Sequence, residues 1–253
     1  MGVSALTSRR AAVVLALLAV VTLAGWVVSF ERMHGMDAGP GTNLGSFGWF
    51  VGAWVAMTAA MMLPSAAPTA LLVARMRTGA DAVVFVVGYV LAWTVYGVAA
   101  YGVYRGARLV APSFVAWQAH GPWVAGGALA FAGLYQVSSL KTSCLRHCRS
   151  PLHFLLRAHG GALGSLRAGS WHGFYCVGCC AGLMLALFAL GVMSLAWMAL
   201  VGVAILVEKT MPRGMQTANL LAVVLVVLGI WVAASPASVP GLTQPHAEQT
   251  MHP

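Results

Sequence analysis

Charge is what this sequence has least of. Asp, Glu, Lys and Arg together make up 8% of the 253 residues, and only five residues are acidic. A soluble domain carries about 25% charged residues, so the composition excludes an ordinary water-covered globule. Hydrophobic residues make up 60% of the chain, and the mean hydropathy is +0.85. This balance predicts an integral membrane protein whose first partner is the lipid bilayer.

The sequence also lacks the short motifs that mark common catalytic sites. It contains no Walker sequence, no G-x-S-x-G and no H-E-x-x-H, so no catalytic residue is proposed and an enzyme is the less favoured class. The net charge of +9 comes from Lys and Arg residues that lie between apolar segments. Charge placed in this way is typical of membrane topology, so no nucleic-acid partner is expected.

Long apolar segments predict an all-α membrane protein, a polytopic helical bundle in a single domain. The segment from Cys176 to Val207 is too long for one span, and we divide it at Gly191–Ser194 as a tight hairpin. This division gives seven transmembrane helices, and six with one very long helix is the alternative. The predicted spans are roughly residues 11–30, 47–73, 82–104, 122–140, 172–191, 194–207 and 215–234, followed by a disordered Pro-rich tail at 235–253.

Positive charge orients the seven predicted spans. With the N-terminus inside, the inner face receives 11 of the 14 Lys and Arg residues, as the positive-inside rule requires. We therefore expect a multi-pass protein of the cytoplasmic membrane. Its N-terminus lies in the cytoplasm and its C-terminus lies outside.

All five cysteines fall into two groups, which this topology places on the cytoplasmic side. Cys144 and Cys148 are four residues apart, and Cys176, Cys179 and Cys180 occupy five residues at the start of the fifth predicted span. On helices, each group presents its sulfurs on one face, and a reducing compartment keeps them as thiols. Two such faces can converge on one soft metal ion, for which Cu(I) is favoured and Zn²⁺ is the second choice.

Imidazole and basic side chains surround the cysteines. His147 lies inside the first group, and His172 lies four residues before the second, so either can complete a metal site. Lys141, Arg146 and Arg149 accompany the first group. Positive charge of this kind is expected to lower the pKa of the thiols and favour thiolate.

Methionine supplies a second kind of soft donor, because thioether sulfur selects Cu(I) among common ions. The group in the second predicted span comprises Met57, Met61 and Met62. Simple packing is the alternative for this group, because Met fills gaps well. A Met-His string in the first outer loop comprises Met33, His34 and Met36. That string can capture copper at the outer surface, and a solvated loop is its alternative.

Glu208 and Lys209 end the sixth predicted span. A carboxylate at the membrane is usually paired or functional. At the membrane boundary Glu208 is interpreted as an interfacial anchor, in which it can pair with Lys209, Arg213 or an arginine of the inner loop. A role as a metal ligand or a proton relay is the alternative.

Several motifs together resemble a known family, the bacterial predicted metal-binding integral membrane proteins, a domain family without an established biochemical function. The matching elements are W-x-x-M-x-x-A-M-M-x-P at 54–64, C-x-x-x-C-R-x-P at 144–151, C-x-G-C-C at 176–180, G-V-M-x-x-x-W-M at 191–198 and E-K-x-x-P-x-G at 208–214. Ala181 and Ser194 stand where the family pattern has Trp and Asn. The resemblance implies a metal-binding protein of the bacterial inner membrane.

The leading hypothesis is a membrane protein that binds Cu(I) for metal handling, transport or delivery to a membrane or metallochaperone partner. One alternative is a membrane dithiol oxidoreductase that uses Cys176 and Cys179. The other is an accessory subunit that assembles a membrane complex, in which the cysteines are structural.

Overall fold

The computed structural model describes residues 2–34, 44–110, 120–150, 161–239 and 242, with side chains from residue 9 onward. Of the predicted tail, only 235–239 and 242 are therefore described. Within the described residues the chain is entirely helical, with eight α-helices and no strand. They are α1 Gly2–Met33, α2 Phe47–Met76, α3 Gly79–Val110, α4 Gly121–Gln136, α5 Ser139–Arg149, α6 Ala162–Leu190, α7 Leu195–Thr210 and α8 Gly214–Ala234, followed by a 3₁₀ turn at Pro236–Ser238.

Five of the described helices, α1, α2, α3, α6 and α8, are long and apolar enough to cross a membrane. The prediction of an all-α chain is confirmed, but the count of seven spans is not supported. α4 and α7 have 16 residues each, about 24 Å of helix against a hydrocarbon core of about 30 Å. α4 stops short of the predicted residue 140 because Ser138 caps α5, where its side chain accepts a hydrogen bond from the Lys141 amide.

The long apolar run that includes the second cysteine group is divided between two helices. α6 ends at Leu190, and α7 begins at Leu195. Gly191 between them has a φ of 114°, a left-handed conformation that favours glycine. α6 begins at Ala162, ten residues before the predicted span, so Cys176 lies fourteen residues from each helix end. That is about 21 Å from either end, in the middle of the helix.

The two helices that carry the sulfur-rich motifs are the most enclosed of the five long ones. In the most apolar window of each helix, 72% of α2 and 61% of α6 is buried, compared with 22% of α1 and 28% of α8. α2 continues as one helix through Pro64 and Pro68, although proline removes a helix hydrogen bond at each position. The methionine and cysteine groups therefore lie on central, continuous helices.

α6 packs closely on α3 through small residues, and the two helices run in the same direction. A Cβ added at Gly169 would collide with the Phe85 carbonyl, and one added at Gly173 would lie 2.6 Å from the Ala92 Cβ. Such contacts require glycine at both positions. This packing fixes the part of α6 that immediately precedes the second cysteine group.

Candidate metal centre

Three cysteines of α6 form the nucleus of the site. The spacing of Cys176, Cys179 and Cys180 places them on one helical face, and their sulfur atoms all lie within 4.8 Å of one another. The Sγ atoms of Cys179 and Cys180 are 3.6 Å apart. All three side chains are at most 1% exposed. The nucleus is therefore a dry cluster of thiols inside the protein.

The first cysteine group reaches this nucleus because its residues form a short amphipathic helix. α5 buries Lys141, Leu145 and Cys148, which recur at the i, i+4 and i+7 positions of one stripe. This stripe faces α6, and the Cys148 Sγ lies 3.7 Å from the Cys179 Sγ. Two helices from separate parts of the sequence thus supply sulfur to one cluster.

The cluster has the dimensions of a metal site. A metal–sulfur bond of about 2.3 Å places the sulfurs of a tetrahedral site about 3.8 Å apart. Two Sγ–Sγ separations, 3.7 Å for Cys148–Cys179 and 3.6 Å for Cys179–Cys180, are close to that value. Cys176 lies within 4.8 Å of the other two α6 sulfurs. Small side-chain adjustments would allow all four to bind one ion.

Cys176 also has two polar neighbours that favour a thiolate. The Lys209 Nζ donates to the Cys176 Sγ at 2.7 Å and to the Ser65 Oγ at 3.1 Å. The Tyr89 hydroxyl lies 2.8 Å from the same sulfur. An ammonium beside a buried sulfur compensates negative charge there, and charge-assisted hydrogen bonds are the stronger kind. The site therefore has a built-in counter-ion for a thiolate.

Cys144 lies beside the cluster and outside the group of three. Its sulfur packs against Gly178, where an added Cβ would lie 2.6 Å from it. The Tyr135 hydroxyl donates to the Gly178 carbonyl at 2.5 Å on the same side. Cys144 is half-buried, so it is the most accessible of the five thiols.

The α5 thiols have raised pKa values, and the expectation that basic neighbours would lower them is wrong. Burial raises the pKa of the Cys144 thiol. A hydrogen bond with Cys176 holds the pKa of the Cys148 thiol well above its ordinary value. The Lys141 ammonium does not offset these effects, because it forms an ion pair with Glu208. Binding of a metal ion to either thiol as a thiolate must therefore release its proton.

The structure does not bring the two predicted histidine ligands into the cluster. The His147 Nδ1 hydrogen-bonds with the carbonyl one turn earlier at 2.8 Å, and its ring stacks on Tyr175 at 4.7 Å. The His172 ring lies 5.7 Å from the rings of both Phe85 and Tyr89. In the described part of the chain, the grouped metal-binding atoms are cysteine sulfurs alone.

The methionines of α2 are buried, and two of them share a helical face with Ser65, which Lys209 links to the cysteine cluster. Met57, Met61 and Met62 are at most 3% exposed. Met57, Met61 and Ser65 are spaced by four residues and share one helical face, and Lys209 joins Ser65 to the cysteine cluster. The third methionine, Met62, has a backbone contact with the same serine: its carbonyl accepts a hydrogen bond from the Ser65 hydroxyl at 2.8 Å.

The predicted outer Met-His string is not assembled into a site by the described residues. Met33 is 5% exposed at the end of α1. His34 is exposed in the following turn, with its ring 5.2 Å from Phe30. Met36 lies outside the described residues. Met33 is therefore a buried residue of α1, which is contrary to its predicted place in the first outer loop.

Glu208 and Lys209 face in different directions, and of the predicted partners of Glu208 the described part of the structure shows none in an ion pair: a lysine of the predicted inner loop takes that place. The Glu208 carboxylate forms an ion pair with Lys141 at 2.7 Å and accepts from the Gln136 amide at 3.1 Å. Lys209 faces the thiols instead. Neighbouring positions on a helix point about 100° apart, so each residue of this pair meets different helices.

Sequence reasoning missed two residues that support the site, Ser65 and Tyr89, and it named Lys141 without its partner Glu208. Lys141 had a usable signal, since it shares the i, i+4, i+7 stripe with Leu145 and Cys148. Tyr89 and Ser65 had none, because an aromatic or hydroxyl residue in an apolar helix is common. Their role follows from helix packing, which places them against Cys176 and Lys209.

A comparison with known families now bears on this site. The model of the PpoB2 family, described as copper chaperone, matches residues 51–232. The chain belongs to this family. The matched part of the chain includes every cysteine, the α2 methionines and Glu208–Lys209, which agrees with the metal-binding resemblance of the motifs. No curated protein matches the chain. No solved structure matches it either.

Proposed function

We propose that this protein is an integral membrane copper chaperone, which binds one Cu(I) ion through Cys148, Cys176, Cys179 and Cys180 and delivers it to a partner protein. The observation that carries the proposal is the convergence of thiols from α5 and α6, with Sγ–Sγ separations of 3.7 and 3.6 Å. A donor set made of sulfur alone suits Cu(I). The family description, copper chaperone, supports the same ion.

Charge also supports a bound monovalent cation. The ion pair between Lys141 and Glu208 is neutral as a unit, so Lys209 is the local positive charge that faces the sulfurs. A Cu(I) ion held by two thiolates carries a net charge of −1, which this ammonium balances. The other two cysteines would shield the ion from water as neutral thiols, which leaves this balance unchanged.

Metal binding is better supported than dithiol redox chemistry. Reactive cysteines that exchange disulfides are usually partly exposed, because a partner must reach the attacking sulfur. Cys176 and Cys179 are at most 1% exposed. In addition, the cluster joins four sulfurs, whereas a dithiol enzyme requires two.

We propose that Met57 and Met61 form the path by which copper approaches the cysteines. Their shared face on α2 continues to Ser65, which is joined to Cys176 through Lys209. Successive members of this face are about 6 Å apart along the helix axis. A cytoplasmic N-terminus and a location in the cytoplasmic membrane belong to the same proposal: they rest on the Lys and Arg excess of the seven-span topology, which requires the 16-residue helices α4 and α7 to cross as well.

Elemental analysis of the purified protein tests the binding proposal. The wild type, a Cys176→Ser/Cys179→Ser/Cys180→Ser variant and a Cys144→Ser control would be reduced and offered Cu(I) and Zn²⁺ separately. We expect about one Cu(I) in the wild type and the control, less Zn²⁺, and no metal in the triple variant. Absence of copper from the wild type would overturn the proposal, and a titratable disulfide in that case would favour the dithiol enzyme.

Delivery is tested separately with reconstituted protein. Cu(I)-loaded wild type in proteoliposomes is expected to pass copper to an added thiol acceptor at a rate that rises with the acceptor concentration, whereas loss by spontaneous dissociation would be independent of it. A Met57→Leu/Met61→Leu variant is expected to retain its bound copper but to load more slowly. Equal loading rates for that variant and the wild type would contradict the proposed path.

A further inference from the structure

The fourth sulfur of the cluster is carried by a helix with few means of attachment. α5 has only 11 residues, whereas α6 has 29. Helices as short as α5 are not stable alone, so its position depends on tertiary contacts. If α5 moved away, Cys148 would leave the cluster while the three α6 cysteines stayed in place.

A buried ion pair fixes the first turn of α5. The Lys141 Nζ lies 2.7 Å from one Glu208 carboxylate oxygen and 2.9 Å from the other. The side chains are 1% and 2% exposed. Gln136 at the end of α4 contacts both charged groups, since its side-chain oxygen accepts from Lys141 and its amide donates to Glu208. The start of α5 is thus fixed against α4 and α7.

The last turn of α5 is attached to the same part of α7. The Arg149 guanidinium donates to the Met211 carbonyl at 2.7 Å and to the Glu208 carbonyl at 3.4 Å. Glu208 therefore accepts contacts from both ends of α5, through its side chain and through its backbone. Cys148 lies between these two attachments, one residue before Arg149.

Stability alone is a poor reason for such a pair. Removing two charges from water costs several kcal/mol, and a well-packed apolar pair of similar volume is often as stable. What an ion pair adds is a defined position for the two elements that it joins. The ion pair joins α7 to α5. On α7 the residue after Glu208 is Lys209, which donates a hydrogen bond to Cys176, and α5 carries Cys148.

We propose that Lys141 and Glu208 are positioning residues that hold α5 against α7, so that Cys148 completes the metal site. This inference rests on the proposed copper site and concerns residues that do not touch the ion. It makes the ion pair a latch: with the pair intact copper has sulfur from two helices, and with the pair broken it has sulfur from α6 alone.

Copper affinity and X-ray absorption of Cu(I)-loaded protein test the latch. In a Lys141→Met variant we expect the number of sulfur ligands to fall by one and the affinity to fall about 10- to 100-fold, the usual cost of losing a supporting contact. The exchanged pair, Lys141→Glu with Glu208→Lys, keeps both charges and is expected to restore the sulfur count. Asp81→Asn is the control for the loss of a charge. The Asp81 carboxylate accepts hydrogen bonds from Thr78 and Ser165 and is not part of the cysteine cluster.

A second variant keeps the test decisive if Lys141→Met does not fold. Arg149→Gln changes an exposed residue and is expected to cause a smaller loss of affinity in the same direction. Unchanged sulfur number and affinity in these variants, with copper bound by the wild type, would overturn the latch alone. Absence of copper from the wild type would instead overturn the proposed copper site.

Discussion

Two helices carry all five cysteines of the chain, and the structure holds them in different ways. α6 is a long central helix that packs against α3 through Gly169 and Gly173. α5 is short and amphipathic, and polar contacts from Lys141 and Arg149 attach it to α7. Cys176, Cys179 and Cys180 therefore sit in a fixed frame, whereas Cys148 is brought to them. The comparison divides the centre into two parts: the α6 part, with the sulfurs of Cys176, Cys179 and Cys180, and the α5 part, with the sulfur of Cys148.

The largest expected loss of Cu(I) affinity comes from a change in the α6 part. Cys176→Ser removes a sulfur and also leaves the buried Lys209 ammonium without its thiolate partner, which is costly. We expect Cu(I) affinity, measured by competition with a chromophoric chelator, to fall more than about 100-fold, beyond the usual loss for a supporting residue. Retention of wild-type affinity would show that α6 does not provide the principal ligand.

Packing of α6 on α3 is the next most sensitive feature. Gly169→Ala adds one carbon where the Phe85 carbonyl already lies, and overpacking of this kind costs about 1–3 kcal/mol. Gly102→Ala is the control on α3, because an added Cβ there meets nothing within 4 Å. Thermal unfolding in detergent should show a lower transition for the first variant and no loss for the second. Equal transitions would mean that α6 is not fixed by this contact.

A change in the α5 part should lower Cu(I) affinity less than the loss of Cys176 does. Cys148→Ser leaves three α6 sulfurs within 4.8 Å of one another, so copper should still bind. We expect an affinity loss of about 10- to 100-fold by the same chelator competition. A loss as large as that of Cys176→Ser would contradict the division into two parts.

Lys209 should affect copper binding through charge. Lys209→Met removes the ammonium beside Cys176 and is expected to weaken Cu(I) binding about tenfold. Lys209→Arg keeps the charge and should lose less. If the Arg and Met variants bind copper equally weakly, geometry and not charge explains the role of Lys209.

The smallest effect is expected at Cys144. Its sulfur packs on Gly178 outside the cluster, so Cys144→Ser should leave Cu(I) affinity close to that of the wild type. Because the thiol is half-buried, labelling with a maleimide should modify it before the other four. Protection of Cys144 from labelling on copper binding would place it in the site and would remove the difference between the two α5 cysteines.

The sequence allowed the helical class and the two cysteine groups to be predicted, because both depend on local patterns. The break at Gly191 and the shared face of Cys176, Cys179 and Cys180 follow from chain chemistry and helical spacing. The number of spans did not follow, since hydropathy does not reveal that α4 ends where Ser138 caps the next helix.

The partners of the charged residues could not be predicted either. Glu208 pairs with Lys141, 67 positions away, because the docking of α5 brings them together. The same docking places Cys148 in the cluster and turns His147 onto Tyr175. Such choices depend on how helices pack in three dimensions, which a pattern along one helix does not specify.

X-ray absorption of the Cu(I)-loaded wild type beside the Cys148→Ser variant shows whether both helices bind the ion. We expect sulfur ligands alone in the wild type and one sulfur ligand fewer in the variant, because α5 and α6 share the ion. A nitrogen or oxygen ligand in the wild type, or the same sulfur count in both proteins, would contradict a centre built from the two helices.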